Sequence, residues 1–206
     1  MSTAPIEIEV KFRVDDVARV RARLEALGAS SKGEVFETNF RYDDKAGRLL
    51  AARCLLRLRR DHHALLTFKR PRPDHGREFK IYDEYEVVVE DFEGMHCILT
   101  AIGLERVQTY EKRREVFALE DVLVCIDRLP YGDFIEIEGS PAPIRAMARR
   151  LEFPWERRIL ANYLHIFETL RRCCHFDFAD LTFANLPEAP PEARTIIRQF
   201  EAAPPP

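Results

Sequence analysis

The sequence predicts an α+β fold, an eight-stranded antiparallel closed β-barrel with helices packed outside. About eight short segments alternate apolar and polar residues and are separated by turn-forming residues, as antiparallel strands are. The helical segments are grouped rather than inserted between successive strands, which argues against a parallel sheet. Closing the sheet into a barrel would also leave no strand edge exposed.

The first half of the chain supplies four of these strands. Every second residue of IEIEVKF, residues 6–12, is apolar, which is typical of a strand with one buried face. Asp15 or Asp16 can then cap a helix that ends at Gly28, because glycine readily adopts the conformation that follows a helix. The strands predicted here are residues 6–12, 34–43, 55–60 and 64–70. The polar loop that follows, residues 71–80, is long enough to form a lid or flap.

The second half repeats the order strand, helix, glycine, strand. A helix is predicted from Phe92 to Ile102, and Gly103 ends it. The strands predicted here are residues 82–91, 110–119, 122–129 and 133–139. Residues 141–171 are predicted to be mostly helical, with Pro154 dividing two segments. The proline-rich tail is predicted to be irregular, apart from a short helix near residues 193–200, with its final residues disordered.

Composition excludes several classes of protein. With 206 residues, of which 46% are hydrophobic, the chain fits one domain or one domain with an appendage. No apolar run approaches the length of a membrane span and no signal peptide begins the chain, so we expect a cytoplasmic protein. The five cysteines and six histidines show no metal-binding or disulfide spacing. The net charge of −3 argues against nucleic-acid binding.

The charged residues follow an unusual pattern, because most strands carry charges two positions apart and mostly of one sign. The basic members of this set are Lys11, Arg57, Arg59, Lys69, Lys112 and Arg114. The acidic members are Glu7, Glu9, Glu84, Glu86, Asp127, Glu136 and Glu138. If the helices cover the apolar faces of the strands, all of these side chains converge inside the barrel.

A charged interior is costly unless the charges are paired or bind a ligand. Arginine and lysine suit the oxygens of a polyphosphate, and clustered carboxylates suit a divalent cation such as Mg²⁺ or Mn²⁺. A metal-bound polyphosphate accounts for both sets together. The structural alternative is a lattice of salt bridges, which would be a poor source of stability.

Short motifs occur in a fixed order along the charged strands. They are the ExExK motif of residues 7–11, Leu-Arg-Leu-Arg at 56–59, Leu-Thr-Phe-Lys-Arg-Pro at 66–71, Glu-Tyr-Glu at 84–86, Lys-Arg-Arg at 112–114, Asp127, and Gly-Asp-Phe-Ile-Glu-Ile-Glu at 132–138. The series resembles the CYTH superfamily, the triphosphate tunnel metalloenzymes, which include class IV adenylyl cyclases and thiamine triphosphatases. The likeness extends from residue 6 to about residue 168, with Tyr163 in the family's C-terminal helix and Arg70 where glycine is common.

The resemblance implies a tunnel open at both ends and assigns roles to the charged residues. Residues 1–168 would form the tunnel domain, and residues 169–206 a proline-rich, partly disordered extension. The implied metal ligands for Mg²⁺ or Mn²⁺ are Glu7, Glu9 and Glu138, with Glu136 nearby. The implied triphosphate ligands are Lys11, Arg57, Arg59, Lys69, Lys112 and Arg114. The implied catalytic residues are Lys11, Glu84, Glu86 and Asp127, the three acids serving a second metal or positioning the nucleophile.

The resemblance favours a class IV adenylate cyclase, which converts ATP to cyclic AMP and pyrophosphate. The alternative is an inorganic or thiamine-type triphosphatase, because water can replace the ribose hydroxyl as nucleophile. A non-catalytic polyphosphate- or nucleotide-binding module is a third reading. The expected partner is thus ATP, thiamine triphosphate or tripolyphosphate, with no membrane or nucleic acid; the sequence is compatible with a homodimer and does not decide it.

Overall fold

Eight strands close into a ring in the computed structural model, which describes residues 6–72 and 78–201. The strands are β1 (Ile6–Val14), β2 (Ser30–Asp44), β3 (Leu55–Arg60), β4 (Ala64–Pro71), β5 (Lys80–Val89), β6 (Leu104–Leu119), β7 (Val122–Leu129) and β8 (Gly132–Gly139). Around the ring the order is β1, β5, β4, β3, β2, β6, β7, β8, and β8 pairs back with β1. Every neighbouring pair is antiparallel. The predicted fold class is therefore confirmed.

Six helices lie outside the ring in the described parts of the chain. They are α1 (Val17–Ala26), α2 (Arg48–Ala51), α3 (Phe92–Ala101), α4 (Pro141–Arg150), α5 (Tyr163–Cys173) and α6 (Ala193–Arg198). The sequence did not predict α2, because its 4 residues are too short to show a helical period. The helix α4 ends at Arg150, before Pro154, and a short 3-10 helix follows at Trp155–Arg157. Asn162 then starts α5 by accepting a hydrogen bond from the backbone N–H of His165. None of the described helices is long and apolar enough to cross a membrane.

The main core lies between the outer face of the ring and two helices. Val10 and Phe12 of β1 and Ile135 of β8 are buried there against Ile144 and Met147 of α4. These residues alternate with the charged ones along each strand. Because the apolar positions are used outside the ring, the charged positions face inward.

The segment after α4 completes the wall on one side of the barrel. Ile159 forms an antiparallel bridge with Lys11 of β1, and Leu181 forms a parallel bridge with Tyr110 of β6. Leu181 and Ile196 are buried in a second core with the aromatic residues of α5. Most of the predicted C-terminal extension, up to Glu201, is thus packed on the barrel.

Two predictions fall partly outside the described residues. The predicted lid, residues 71–80, includes residues 73–77, which the structure does not describe; Lys80, at its end, is the first residue of β5. The predicted disorder of the final residues concerns 202–206, which also lie outside the described part. The short helix predicted near residues 193–200 is α6.

Candidate functional site

The interior of the ring is a highly charged cavity of about 910 Å³. Nine basic and six acidic side chains line it, so cations outnumber carboxylates. The basic residues are Lys11, Arg41, Arg53, Arg57, Arg59, Lys69, Lys80, Lys112 and Arg114, and the acidic ones are Glu7, Glu9, Glu84, Glu86, Glu136 and Glu138. Every charged residue predicted from the sequence as a site residue lines this cavity, except Asp127.

Strand register brings the carboxylates of β1 and β8 together. Glu9 lies opposite Glu138 of β8 on one side and opposite Lys80 of β5 on the other, while Lys11 lies opposite Glu136. The Nζ atom of Lys11 lies 3.1 Å from Oε1 of Glu9 and 3.4 Å from Oε1 of Glu136. The Nζ atom of Lys80 donates to Oε1 of Glu9 at 2.7 Å. Glu9 is therefore the shared counter-ion of two lysines.

The pKa values of these carboxylates diverge. Burial and the neighbouring Glu9 carboxylate raise the pKa of Glu7 to about 7, although Lys69 opposes this. The same two causes raise the pKa of Glu138. Burial alone would raise the pKa of Glu9 too, but Lys11, Lys80 and Lys69 bring it well below its usual range. Burial and the charge of Glu9 thus disfavour the ionised forms of both Glu7 and Glu138.

Glu37 of β2 organises the cations on the opposite wall. It is 1% exposed, and its carboxylate lies 3.6 Å from Lys112, 3.6 Å from Arg59 and 3.9 Å from Arg114. Burial would raise the pKa of Glu37, but Lys112, Arg114 and Arg59 lower it to about 2. Sequence reasoning missed this residue. The signal was its inward position in the predicted strand 34–43, next to the cations of β3 and β6.

The Arg57 guanidinium has one buried donor that is not hydrogen-bonded to any described residue. Its guanidinium donates to the hydroxyls of Tyr110 at 3.4 Å and of Thr67 at 3.1 Å, and lies 3.8 Å from Glu86. Its buried Nε has no hydrogen-bond acceptor among the described residues. A buried, unsatisfied N–H is uncommon in folded proteins and marks a place where a ligand oxygen would be stabilised.

The remaining predicted acids of β5 stand at partly exposed positions of the lining. Glu84 lies 3.2 Å from the Nζ atom of Lys69, which also donates to Glu7 at 2.6 Å. Glu86 accepts a hydrogen bond from the hydroxyl of Thr67 at 2.9 Å. Both carboxylates face the cavity and are available to a bound molecule.

Asp127 takes a different position from the other predicted acids. It is fully buried and does not line the cavity. It accepts hydrogen bonds from Lys112 at 3.2 Å, from Arg114 at 2.6 and 2.5 Å, and from the hydroxyl of Tyr163 at 2.9 Å. This position suits a residue that orients two cations.

Tyr163, at the start of α5, forms part of the cavity floor. The Nζ atoms of Lys11 and Lys112 lie 5.0 and 5.7 Å from the centre of its ring. Burial and the carboxylates of Asp127 and Glu136 raise the pKa of Tyr163 well above its usual value, so its hydroxyl stays protonated and donates to Asp127. The ring thereby makes cation–π contacts with two of the predicted phosphate ligands, Lys11 and Lys112.

Sequence reasoning also missed several residues that line the cavity, among them Lys80, Arg41, Arg53 and Tyr110. Lys80 continues the alternation of Tyr82, Glu84 and Glu86, but the proline and glycine before it made it part of a predicted loop. Arg41 and Tyr110 lie at inward positions of β2 and β6 and were not assigned a role. Their alternation with outward residues was the available signal.

The carboxylates fit a divalent cation in donor type and in charge. Mg²⁺ and Mn²⁺ take oxygen ligands, and a bound cation would favour the ionised forms of Glu7 and Glu138, whose pKa values burial and the Glu9 carboxylate raise. The described residues contain no preassembled group of three or more His, Cys, Asp or Glu side chains close enough to hold a metal. Lysines lie at hydrogen-bonding distance from Glu7 and Glu9, so a cation would compete with them.

Comparison with known proteins gives one consistent family. The model of the CYTH domain matches residues 5–151. A Methanocaldococcus jannaschii protein named as a candidate adenylate cyclase is 30% identical over 149 residues, which cover 71% of this chain and 84% of that protein.

Solved structures show the same fold. A candidate adenylate cyclase from Vibrio parahaemolyticus matches with a TM-score of 0.72 and 19% identity, covering 81% of this chain and 99% of that chain. A Hippeastrum protein, described as a candidate adenylyl cyclase with a dominant triphosphatase activity, matches with a TM-score of 0.59 and 17% identity, covering 79% of this chain and 95% of its own. At these identities the likeness concerns the fold alone.

Proposed function

The chain belongs to the CYTH family, and from this membership we propose that it is a divalent-metal-dependent enzyme that converts ATP to cyclic AMP and pyrophosphate. One observation carries the proposal: the cavity is lined by nine cations and six carboxylates, which together suit a metal-bound triphosphate. A surface built only to be solvated would not bury Lys11, Lys112 and Arg57. The name of the Methanocaldococcus jannaschii relative supports the choice of reaction.

The proposed triphosphate ligands are the six cations that the sequence predicted and that all line the cavity. They are Lys11, Arg57, Arg59, Lys69, Lys112 and Arg114. Phosphoryl transfer needs positioning and charge neutralisation more than covalent catalysis, so fixed cations are the main requirement. Asp127 and Glu37 hold several of these side chains in place through the contacts described above.

We assign the metal to Glu7, Glu9 and Glu138, with Glu136 nearby. When bound, Mg²⁺ or Mn²⁺ supplies a Lewis acid that neutralises charge on the phosphates. Lys11, Lys80 and Lys69 lower the pKa of Glu9, so this carboxylate is ionised and ready to bind at neutral pH. Burial and the Glu9 carboxylate raise the pKa of Glu7 to about 7, so a metal bound there would displace the proton from its protonated fraction.

In the proposed reaction the ribose 3′-oxygen forms a bond to the α-phosphorus. The bond between the α-phosphorus and the α,β-bridging oxygen breaks, and pyrophosphate leaves with that electron pair. The hydroxyl proton passes to a carboxylate that lines the cavity. Glu84 and Glu86 are the candidates for this general base, because both face the cavity from β5. The basic residues stabilise the charge that develops on the departing pyrophosphate.

The second candidate is triphosphate hydrolysis, in which water attacks the γ-phosphorus. The same cations and carboxylates would serve it, and the Hippeastrum protein of the same fold is described as having a dominant triphosphatase activity. The two reactions differ in how the triphosphate is oriented in the cavity. They also differ in products, which makes them easy to separate.

A product assay tests the proposal. Purified protein is incubated with ATP, thiamine triphosphate or tripolyphosphate, each with Mg²⁺ and with Mn²⁺, and the products are separated and identified. Cyclic AMP with pyrophosphate would support the cyclase, and inorganic phosphate would favour the triphosphatase. Binding of these compounds without turnover would leave a non-catalytic binding module.

A matched pair of variants links the activity to the cavity. Arg57 faces inward and Arg60, three residues later on β3, lies on the outer face against Phe92. Arg57→Gln is expected to lower kcat/KM roughly 10- to 100-fold, because a hydrogen bond to a charged group contributes about 1.5–3 kcal/mol. Arg60→Gln is the control and should keep wild-type activity. Equal activity in both variants would exclude Arg57 from the triphosphate site.

A further inference from the structure

The cavity lining has two parts that differ in the kind of side chain they provide. Barrel strands provide all six of its carboxylates and all of its basic side chains except Arg53. Two segments outside the strands, residues 50–54 and 160–165, provide a different set with no carboxylate. Its members are Leu50, Arg53, Cys54, Leu160, Ala161, Asn162, Tyr163, Leu164 and His165.

These two segments flank the same end of β2 and β6. Asp43 of β2 accepts hydrogen bonds from the backbone N–H groups of Leu49 and Leu50, both at 2.9 Å, and so fixes α2 beside the strand end. On the neighbouring strand, Gln108 lies 3.5 Å from Glu168 of α5 and directly opposite Arg41 in the β-ladder. Arg41 is therefore located between α2 and α5.

Arg41 is not paired with any of the residues that the structure describes. Its half-buried guanidinium lines the cavity within electrostatic range of Tyr110 and forms no ion pair or hydrogen bond with any described residue. Burial lowers the pKa of Arg41, and the more distant carboxylates of Asp43 and Glu168 only partly oppose this. Leu50, on α2, is 60% exposed, although it too faces the cavity.

We propose that this end of the cavity is a subsite for the neutral aromatic base of a nucleoside triphosphate, with Leu50 against the base and the Arg41 guanidinium stacked on it. The inference rests on the proposed function and identifies the residues that would recognise the base of its substrate. A planar guanidinium stacks well on aromatic rings, and an exposed leucine gains from covering by an apolar surface.

The observations select this ligand over the two others. Tripolyphosphate has no apolar surface to place against Leu50, and the cavity of about 910 Å³ is in the range for a complete organic ligand. Thiamine triphosphate carries a cationic ring, which Arg41 and Arg53 would repel, with no carboxylate of these segments in the lining to compensate. A nucleoside triphosphate meets neither difficulty.

The test is a comparison of two ligands that share the triphosphate. Binding of α,β-methylene-ATP and of tripolyphosphate, each with Mg²⁺, is measured by calorimetry for the wild type and three variants. The site variants are Leu50→Ala and Arg41→Ala. The control is Ile102→Ala, because Ile102 follows α3, is 69% exposed and does not line the cavity. Thermal unfolding confirms that each variant is folded.

The wild type should bind the ATP analogue more tightly than tripolyphosphate. Leu50→Ala should weaken the analogue roughly threefold to tenfold, as expected for loss of a partly buried apolar contact, and leave tripolyphosphate unchanged. Arg41→Ala should also weaken the analogue more than tripolyphosphate, and Ile102→Ala should change neither.

Three results would overturn the subsite. They are equal affinity of the wild type for both ligands, equal weakening of both ligands in the site variants, and no weakening in any variant. Each of these leaves the triphosphate-binding function in place, because tripolyphosphate still binds. Failure of both ligands to bind the wild type would instead reject the proposed function, and the subsite with it.

Discussion

Glu9→Gln is the most informative single change, because Glu9 is assigned to the metal and is also the counter-ion of two buried lysines. Lys11 is 0% exposed and lies 3.1 Å from Glu9, and Lys80 lies 2.7 Å from the same oxygen. The glutamine keeps the shape of the side chain and removes its charge. Both lysines then lose their closest acidic partner.

The expected cost follows from this burial. Breaking a buried ion pair by removing one partner costs about 3–5 kcal/mol. For a chain of this size, 1 kcal/mol corresponds to roughly 2–4 °C in Tm, so the metal-free variant should melt roughly 6–20 °C below the wild type. Metal-dependent turnover should be lost at the same time.

Glu9→Gln should also raise the affinity for tripolyphosphate, although it lowers stability. The variant has a more positive cavity, so tripolyphosphate should bind it more tightly than it binds the wild type when EDTA removes metals. Thermal unfolding in EDTA, with and without tripolyphosphate, measures both effects, since a ligand that binds the folded state raises Tm in proportion to its affinity. The variant should show the lower Tm alone and the larger rise with tripolyphosphate.

The control is Glu152→Gln, which breaks ion pairs with Arg19 and Arg23 at a site where the glutamate side chain is 53% exposed. Exposed pairs contribute about 0–1 kcal/mol, so its Tm should change little. A Glu9→Gln protein that melts like this control would refute the assignment of Glu9 as the shared counter-ion. Full metal-dependent turnover in Glu9→Gln would refute its role as a metal ligand.

Three further predictions concern the floor, the acidic wall and the tail. Tyr163→Phe removes the hydroxyl that donates to Asp127 and is expected to lower stability by about 1–2 kcal/mol and to reduce kcat, which unfolding and rate measurements would detect; wild-type values would show that the contact is unimportant. Because burial and Glu9 raise the pKa of Glu7 from 4.5 to about 7, folding binds a proton there, so stability in EDTA should fall as the pH rises from about 4.5 through 7. Glu7→Gln should remove that slope, and an unchanged slope would assign it to another group. Deletion of residues 175–206 should destabilise the barrel because it removes the buried Leu181, and an unchanged Tm would show that the tail is peripheral.

The sequence predicted the inward-facing residues well because a strand places every second side chain on one face. Glu7, Glu9 and Lys11 line the cavity for this reason, as do Arg57 and Arg59. The same alternation could have found Glu37 and Arg41 on β2. Their strand was predicted, but its inward face mixes Glu37, Asn39 and Arg41, so it lacks the one-sign pairs that marked the others.

What alternation cannot give is the identity of neighbours that come from distant parts of the chain. Asp127 of β7 lies opposite the cavity-lining Arg114 in the β-ladder, yet it does not line the cavity itself, and Tyr163, 36 positions later, donates a hydrogen bond to its carboxylate. Likewise, α2 is too short to show a period, and its place beside Arg41 depends on the hydrogen bonds of Asp43. These features depend on tertiary contacts and leave no local pattern.

The uneven pairing of charged side chains argues against a purely structural lattice of salt bridges inside the barrel. In a balanced lattice every carboxylate would be stabilised in its charged form, as Glu9 and Glu37 are. Glu7 and Glu138 have raised pKa values, while Arg41 lacks an acidic partner among the described residues. The interior therefore contains two carboxylates whose ionised forms are disfavoured and one arginine without an acidic partner among the described residues. A purely structural role gives no reason to keep both features, whereas a bound cation and a bound anion would account for them together.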